Sequence, residues 1–360
     1  MSSLSVSRRT FLKNVVQAGA AVTMLSAPLL RARESGAGSA SVMTSRSAPA
    51  ASAPDPDEVI WACLLHISYN MWEGYIAPER ERRGYRPFLR LEQDLWDDVL
   101  QKMAAERMNM AVLDLGDGIQ YESHPEIPVK GAWPRGKLRS ELKKMRDMGL
   151  EPIPKLNFSA THDAWLGPYA RMLSTDQYYQ VCRDLITEVI ELFDQPRFFH
   201  LGMDEETARH QRLHKYVVIR QQDLWWHDFF ILVDAVEAGG VRPWIWSDYL
   251  WNHPEEFFGN MPKSVMQSNW YYDEEFNTAV DYVRAYHQLE EHGYDQIPTG
   301  SNYYNRPNFG LTVEYCPELI SPAHLYGFLQ TIWKPPTNEY RSEYMDGIEL
   351  AGAARGAFEK

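Results

Sequence analysis

Short apolar runs alternate along the chain with longer segments whose apolar residues recur at helical spacing. The first run covers residues 59–66, and the segment over residues 93–108 places Leu95, Val99 and Met103 on one helical face. Further strands are predicted over residues 110–114, 151–157, 198–203, 243–247, 265–270, 297–302 and 327–333. Further helices are predicted over residues 137–148, 176–193, 221–238 and 278–291, and from residue 339 onward. After residue 247 we expect at most a short helix.

This succession of strands and helices indicates an α/β protein. We predict a (β/α)8 TIM barrel that forms a single catalytic domain over residues 57–360. A doubly wound open sheet is the competing architecture. That sheet normally carries a glycine-rich nucleotide-binding turn after its first strand, and the sequence has no such turn there.

The residues before the barrel have the pattern of an export signal. Arg8 and Arg9 precede an apolar stretch over residues 15–30, so residues 1–32 are predicted to be a twin-arginine signal peptide. The apolar stretch is too short and too polar for a stable membrane span after processing. Residues 33–56 are small and polar and indicate a disordered linker or processing region. We therefore expect a periplasmic or secreted protein.

Composition narrows the class of function. The formal net charge of −13 argues against a nucleic-acid binder, which needs clustered lysines and arginines. The three cysteines are far apart and form neither a disulfide framework nor a zinc spacing. Aromatic residues make up 13% of the chain, and aromatic rings pack well on the flat C–H faces of sugars. We expect a carbohydrate partner, no cofactor and no metal ion.

The most informative run is residues 198–206, where an apolar strand ends in a glycine and is followed by Asp204 and Glu205. In a barrel of parallel strands, active sites are built at this end of the strand. Two neighbouring acids there can hold different protonation states, as acid/base chemistry on a glycosidic bond requires. The alternative is that Asp204 caps the next helix. Glu206 is expected to be a solvated residue at the start of that helix.

Polar or aromatic residues follow all the other predicted strands as well. They are His66, Asp114, Asp117, Asn157, His162, Trp246, Asp248, Asn269, Trp270, Asn302, Tyr303, Gln330 and Trp333. The carboxyl ends of the strands meet at one face of a barrel, so these side chains should converge. Such a mixture of carboxylates, amides and indoles is typical of a carbohydrate pocket.

The sequence resembles a known family at these positions. His200-Leu201-Gly202-Met203-Asp204-Glu205 matches the H-x-G-x-D-E motif of the family 20 glycoside hydrolases, the β-N-acetylhexosaminidases. Less specific similarities lie at the second strand, the loop after the third strand and the aromatic walls. They comprise Asp114, Asp117, His162, Trp244, Trp246, Tyr303 and Trp333.

The resemblance implies a retaining mechanism in which the substrate's own 2-acetamido oxygen is the nucleophile. Glu205 would be the general acid and then the base, and Asp204 would orient the acetamido N–H. Tyr303 would donate a hydrogen bond to the acetamido oxygen. Glu205 would need a raised pKa, which apolar neighbours and the Asp204 charge would promote. The expected substrate-binding residues are Asp114, Asp117, His162, His200, Trp246, Asp248, Trp270, Tyr303 and Trp333.

The sequence departs from the family pattern at three places. No arginine occurs at the end of the first strand, over residues 66–70, where the family usually has one. Lys334 follows Trp333 where an acid is expected, and Asn305 stands where a carboxylate would follow Tyr303. Recognition of the far side of the sugar is therefore expected to differ, with another or a modified N-acetyl sugar as substrate.

Two other functions stay open at this point. A metal-dependent barrel enzyme could use His66, His162, His200, Asp204, Glu205 and Asp248 as ligands, although no H-x-H or H-x-x-x-H pair lies on one element. A non-catalytic carbohydrate-binding protein on a glycosidase barrel would explain the missing arginine and acid. The intact Asp204-Glu205 pair argues against it.

Overall fold

The computed structural model of the protein describes residues 59–72 and 83–360. The predicted twin-arginine signal peptide over residues 1–32 and the predicted linker over residues 33–56 lie outside the described residues. Both stay predictions.

Strands and helices alternate through the described residues. The strands are β1 (Ile60–His66), β2 (Met110–Asp114), β3 (Glu151–Lys155), β4 (Phe198–His200), β5 (Arg242–Trp246), β6 (Met266–Ser268), β7 (Thr299–Ser301) and β8 (Gly327–Thr331). The α-helices are α1 (Gln93–Ala105), α2 (Arg135–Asp147), α3 (Asp176–Leu192), α4 (Asp223–Ala238), α5 (Tyr249–Asn252), α6 (Pro254–Asn260), α7 (Asp281–Glu291), α8 (Asn308–Tyr315) and α9 (Arg341–Phe358). None of these helices has both the length and the apolar character needed to cross a membrane.

All strand pairs are parallel, in the order β6-β5-β4-β3-β2-β1-β8-β7. Sparse backbone hydrogen bonds join the two outer strands of this order. The Ile297 N–H donates to the Gln267 carbonyl at 2.8 Å, and the Thr299 N–H donates to the Asn269 carbonyl at 3.0 Å. The sheet thus closes on itself, which confirms the predicted (β/α)8 barrel.

Side-chain alternation in β1 separates two apolar layers. Trp61, Cys63 and Leu65 belong to the layer between barrel and helices, while Ile60, Ala62 and Leu64 belong to the barrel interior. Successive side chains of a strand point to opposite faces, and in β1 both faces are buried. The interior layer is completed by Met110, Val112, Ile153, Phe198, Trp244, Trp246, Met266, Ile297 and Leu329. Above this apolar plug, the inward positions at the strand ends become polar, beginning with His66 at the end of β1.

Several element boundaries differ from the prediction. Strand β4 ends at His200 rather than residue 203, because Gly202 and Met203 both have a φ of 75° and leave the extended conformation. The segment after β5 holds the short helices α5 and α6, close to expectation. Helix α8 follows β7 and was not predicted, since it is short and begins after Pro307 in a polar stretch.

Candidate active site

A cavity of about 110 Å³ opens at the carboxyl ends of the strands. Its lining combines two carboxylates with a histidine, an arginine and a wall of aromatic rings. It comprises Met71, Trp72, Arg83, His162, Asp204, Glu205, Trp246, Trp270, Tyr272, Tyr303, Tyr304 and Trp333. The structure therefore brings together His162, Asp204, Glu205, Trp246, Trp270, Tyr303 and Trp333 from the sequence-predicted set. Met71, Trp72, Arg83, Tyr272 and Tyr304 were not singled out by sequence reasoning.

The turn after β4 requires glycine at its first corner. Gly202 has a φ of 75°, and a Cβ there would lie 2.0 Å from the Asn157 Oδ1 atom. Met203 and Glu205 also have positive φ values, 75° and 58°, which are costly for residues with side chains. The strained turn places Asp204 and Glu205 side by side at the cavity.

The loop after β3 holds this turn in place. The Ser159 hydroxyl donates to the Asp204 carbonyl, and the Thr161 hydroxyl donates to the Glu205 carbonyl at 2.7 Å. Both bonds reach the backbone rather than the carboxylates. The two hydroxyls therefore position the acids, while the carboxylate oxygens remain available for other hydrogen bonds.

Asp204 is a buried anion, only 6% exposed. Its Oδ1 accepts a hydrogen bond from the Asn157 amide at 2.8 Å and lies 3.1 Å from His162 Nδ1. Burial acts to raise the pKa of Asp204, but the charge and hydrogen bond of His162 and the charge of Lys155 outweigh it and hold the pKa below its usual value.

His162 lies between the two acids. Its Nε2 is 3.4 Å from Glu205 Oε2, opposite the nitrogen that faces Asp204. Burial acts to lower the pKa of His162, but the two carboxylates raise it to about 10. The imidazole is therefore protonated at neutral pH.

Glu205 is more accessible than Asp204, with 28% of its side chain exposed. Its Oε1 lies 3.6 Å from His210 Nε2. Burial acts to raise the pKa of Glu205, yet the hydrogen bond and charge of His162 and the charge of His210 lower it below the usual value. This is opposite to the expected direction, because the sequence did not show that a charged histidine contacts Glu205.

Asp248 supports the site from behind the cavity wall. Its Oδ2 accepts from the Glu205 backbone N–H at 3.0 Å, and its Oδ1 accepts from the Trp270 indole at 2.5 Å. Burial, together with the charges of Asp204 and Glu205, raises the pKa of Asp248 far above its usual value. Through these two hydrogen bonds Asp248 fixes the Glu205 backbone and the Trp270 ring.

The aromatic wall is held by contacts among its own members. The Trp333 indole N–H donates to the Tyr272 hydroxyl at 3.1 Å, and Tyr272 stacks on Trp270 with ring centroids 4.9 Å apart. The ring centroids of Trp246 and Trp333 are 6.3 Å apart. The indole N–H of Trp246 is buried and has no hydrogen-bond partner among the described residues. The wall thus offers apolar ring faces and one donor.

Besides Asp248, three predicted site residues lie outside the cavity lining, and Asp114 is the first. It lies at the tip of β2, inside the barrel, with Lys155 Nζ at 2.6 Å and His66 Nδ1 at 3.4 Å from its Oδ2. Lys155 is fully buried and needs this partner. A lysine inside the apolar strand β3 was a visible sequence signal for such an ion pair.

Asp117 and His200 are the other two. Asp117 accepts from the Ser68 hydroxyl at 2.5 Å and the Asn70 amide at 2.9 Å, and so ties two loops together. His200 is fully buried, and its Nδ1 accepts from the Gly202 N–H at 3.0 Å. Burial lowers the pKa of His200 well below its usual value, so it is a neutral support for the β4 turn.

Glu206 is not the solvated helix-start residue that was expected. Its side chain is only 5% exposed and forms an ion pair with Arg220, while its Oε1 accepts from the Ala160 N–H at 2.7 Å. Arg220 also lies 3.4 Å from Asp228. The expectation was wrong because the arginine lies in a loop with no periodic pattern.

An arginine does reach the cavity, although none ends the first strand. Arg83 donates through Nη2 to the Tyr303 hydroxyl at 3.2 Å, and its guanidinium lies 4.8 Å from the centroid of the Trp72 ring. It comes from the segment between β1 and α1, where no sequence pattern pointed to the cavity. Within residues 59–72 and 83–360, no group of three or more His, Cys, Asp or Glu side chains is placed to hold a metal ion.

No protein-family model and no curated protein sequence matches this chain. Among solved structures, the fold is similar to a β-N-acetylhexosaminidase from Bacteroides fragilis, with a TM-score of 0.57 and 16% identity over 81% of this chain and 65% of that chain. It is also similar to a Flavobacterium johnsoniae chitobiase, with a TM-score of 0.54 and 16% identity over 78% and 47% of the two chains.

A mutant Streptomyces plicatus β-hexosaminidase in complex with its product GlcNAc has a TM-score of 0.55 and 13% identity, over 82% of this chain and 64% of that chain. This chain thus spans about half to two thirds of the length of these neighbours. At such identities the similarity shows a shared barrel fold.

Proposed function

We propose that the protein is a glycoside hydrolase that cleaves β-linked 2-acetamido sugars with participation of the substrate's acetamido group. The observation that carries this proposal is the unequal pair of acids in one aromatic-walled cavity. Asp204 is a buried anion held by Asn157 and His162, while Glu205 is partly exposed beside it. The fold shared with β-N-acetylhexosaminidases supports the same conclusion.

Asp204 would serve the acetamido group. A buried carboxylate with a lowered pKa keeps its charge and can accept the acetamido N–H. When the acetamido oxygen attacks the anomeric carbon, positive charge develops on the resulting ring. A fixed anion in a site with little water stabilises that charge strongly.

Glu205 would move the protons. In the free protein the proton that Glu205 would donate is held by His162, whose Nε2 is 3.4 Å from Glu205 Oε2. Transfer of that proton to Glu205 produces the acid that protonates the leaving oxygen as the C–O bond breaks. The Glu205 carboxylate then takes a proton from water, and the water oxygen bonds to the anomeric carbon as the acetamido oxygen departs. Two displacements retain the β configuration.

Tyr303 and the indoles would hold the sugar. Tyr303 lines the cavity, where its hydroxyl accepts from Arg83, and it would donate a hydrogen bond to the acetamido oxygen. Trp246, Trp270 and Trp333 offer ring faces to the C–H faces of the sugar.

The test is hydrolysis of nitrophenyl β-glycosides with and without a 2-acetamido group, by the wild type and by Glu205→Gln and Asp204→Asn. We expect turnover of 2-acetamido sugars alone, and its loss in both variants. Glu255→Gln is the matched control, because Glu255 is an exposed acid on α6. Turnover of sugars without the acetamido group at equal rates would contradict the assisted mechanism. Loss of turnover after treatment with a chelator would favour a metal-dependent enzyme.

A second candidate is a carbohydrate-binding protein without catalysis. The lowered pKa of Glu205 favours it, since a general acid needs its proton near neutral pH. Binding of N-acetylglucosamine without turnover of any glycoside, unchanged in Glu205→Gln, would support this candidate and exclude hydrolysis.

A further inference from the structure

A second pocket of about 220 Å³ adjoins the active-site cavity. We refer to it as the basic pocket, and it is lined by Trp72, Arg83, Glu205, Arg209, His210, Arg212, Leu213, Tyr282 and Tyr304. Trp72, Arg83, Glu205 and Tyr304 also line the cavity, so the two spaces are direct neighbours.

The basic pocket has an unusual charge for this chain. Three arginines and a histidine line it, and Glu205 is the one carboxylate among the described lining residues. The protein as a whole has a net charge of −13. A cluster of positive charge in an acidic protein requires a reason, because like charges repel one another.

Within the described part of the chain, no carboxylate forms an ion pair with the arginines of the pocket. Arg212 donates to the Arg209 carbonyl at 3.1 Å, and neither side chain pairs with a described acid. The Nε atom of Arg83 is buried and has no hydrogen-bond partner among the described residues. The Arg209 guanidinium and the remaining donors of Arg83 and Arg212 can therefore bind an anionic ligand.

The lining of the basic pocket matches the leaving-group side of the proposed reaction. Asp204, which would hold the acetamido group, lines only the cavity, whereas Glu205 lines both spaces. Glu205 Oε1 lies 3.6 Å from His210, which belongs to the basic pocket. A general acid must contact the oxygen of the bond that breaks, so a leaving group bonded to that oxygen extends past Glu205.

We propose that the basic pocket binds an anionic group on the leaving-group side, so that the substrate is an acidic glycan or glycoconjugate carrying a carboxylate or a sulfate. This inference rests on the proposed function. Guanidinium groups bind two oxygens of such an anion with paired hydrogen bonds. A positive pocket beside the reacting bond also raises the local concentration of an anionic substrate.

The test compares three nitrophenyl 2-acetamido-β-glycosides whose aryl leaving group carries no charge, a carboxylate or a sulfonate. The quantity measured is the ratio of kcat/KM for each charged substrate to that for the neutral one. In the wild type we expect a ratio that falls as ionic strength rises. In the Arg209→Ala/Arg212→Ala double variant the ratio should fall about 10-fold. Arg139→Ala, which changes an exposed arginine on α2, should keep the wild-type ratio.

The two charged substrates separate a carboxylate ligand from a sulfate-like one. Equal ratios in the wild type and the double variant would overturn the inference while leaving the proposed function intact. If none of the three substrates is cleaved, the proposed function fails. The basic pocket is then tested by calorimetric binding of glucuronic acid and glucose 6-sulfate. Weaker binding in the double variant, but not in Arg139→Ala, would support it, and unchanged binding would overturn it.

Discussion

Two charged networks begin at the turn after β4, and they use consecutive acids. Glu205 contacts His162 and remains partly exposed in the cavity. Glu206 pairs with Arg220, and this pair is almost completely buried. The acids have the same chemistry and adjacent positions, yet one network is open to a ligand and the other is closed.

The partner residue explains the difference. A guanidinium stays charged at all accessible pH values, so Arg220 does not exchange a proton with Glu206. An imidazole can give up its proton, so His162 can exchange a proton with Glu205 across 3.4 Å. The closed network therefore fixes the turn, and the open network can perform acid/base chemistry.

The largest effect should come from removing the acid of the open network. In Glu205→Gln we expect kcat on 2-acetamido glycosides to fall about 10²- to 10⁴-fold, because the leaving oxygen loses its proton donor. The unfolding midpoint should change little, since Glu205 is partly exposed. Steady-state kinetics and urea denaturation of the same preparation measure both. A large loss of stability with kcat retained would reverse the assignment of the two networks.

Glu206→Gln should have the opposite profile. Arg220 would remain buried with Asp228 at 3.4 Å as its remaining carboxylate partner. We expect the free energy of unfolding to fall by about 3 kcal/mol, at the low end of what breaking a buried pair costs. At urea concentrations below its unfolding transition, the folded Glu206→Gln variant should keep most of the wild-type kcat. A protein of wild-type stability would show that Glu206 is not structurally required.

The open network could be predicted from the sequence better than the closed one. The strand, Gly202 and the Asp204-Glu205 step form a local pattern, and alternation along strands predicts which ends converge. Other residues of the two networks and the cavity, such as Arg220 and Arg83, come from irregular loops. No sequence periodicity predicts the contacts of such loop residues. The pKa of Glu205 was expected in the wrong direction for the same reason, since its cause is a contact with His162.

The His162 contacts predict a specific dependence of stability on pH. The pKa of His162 is raised from 6.5 to about 10 in the folded protein, so its pairing stabilises the fold fully below pH 6.5. That stabilisation, roughly 1.5–3 kcal/mol for hydrogen bonds to charged groups, should be lost as the pH rises through about 10.

His162→Gln removes the titrating group. Urea denaturation across this pH range should therefore show a decline in the wild type that the variant lacks. Parallel curves for the two proteins would mean that His162 is neutral when folded, and the contrast with Arg220 would then disappear.

The smallest effects should come from hydroxyls that hold each network. Thr161→Val removes the 2.7 Å bond to the Glu205 carbonyl, and Ser174→Ala removes a 2.7 Å bond to Asp228 in the closed network. Each should cost about 0.5–1.5 kcal/mol of stability. Only Thr161→Val should also lower kcat with little change in KM, because it loosens the strained backbone that aims Glu205. An equal fall in kcat for Ser174→Ala would show that the two networks act as one unit rather than as a catalytic and a structural half.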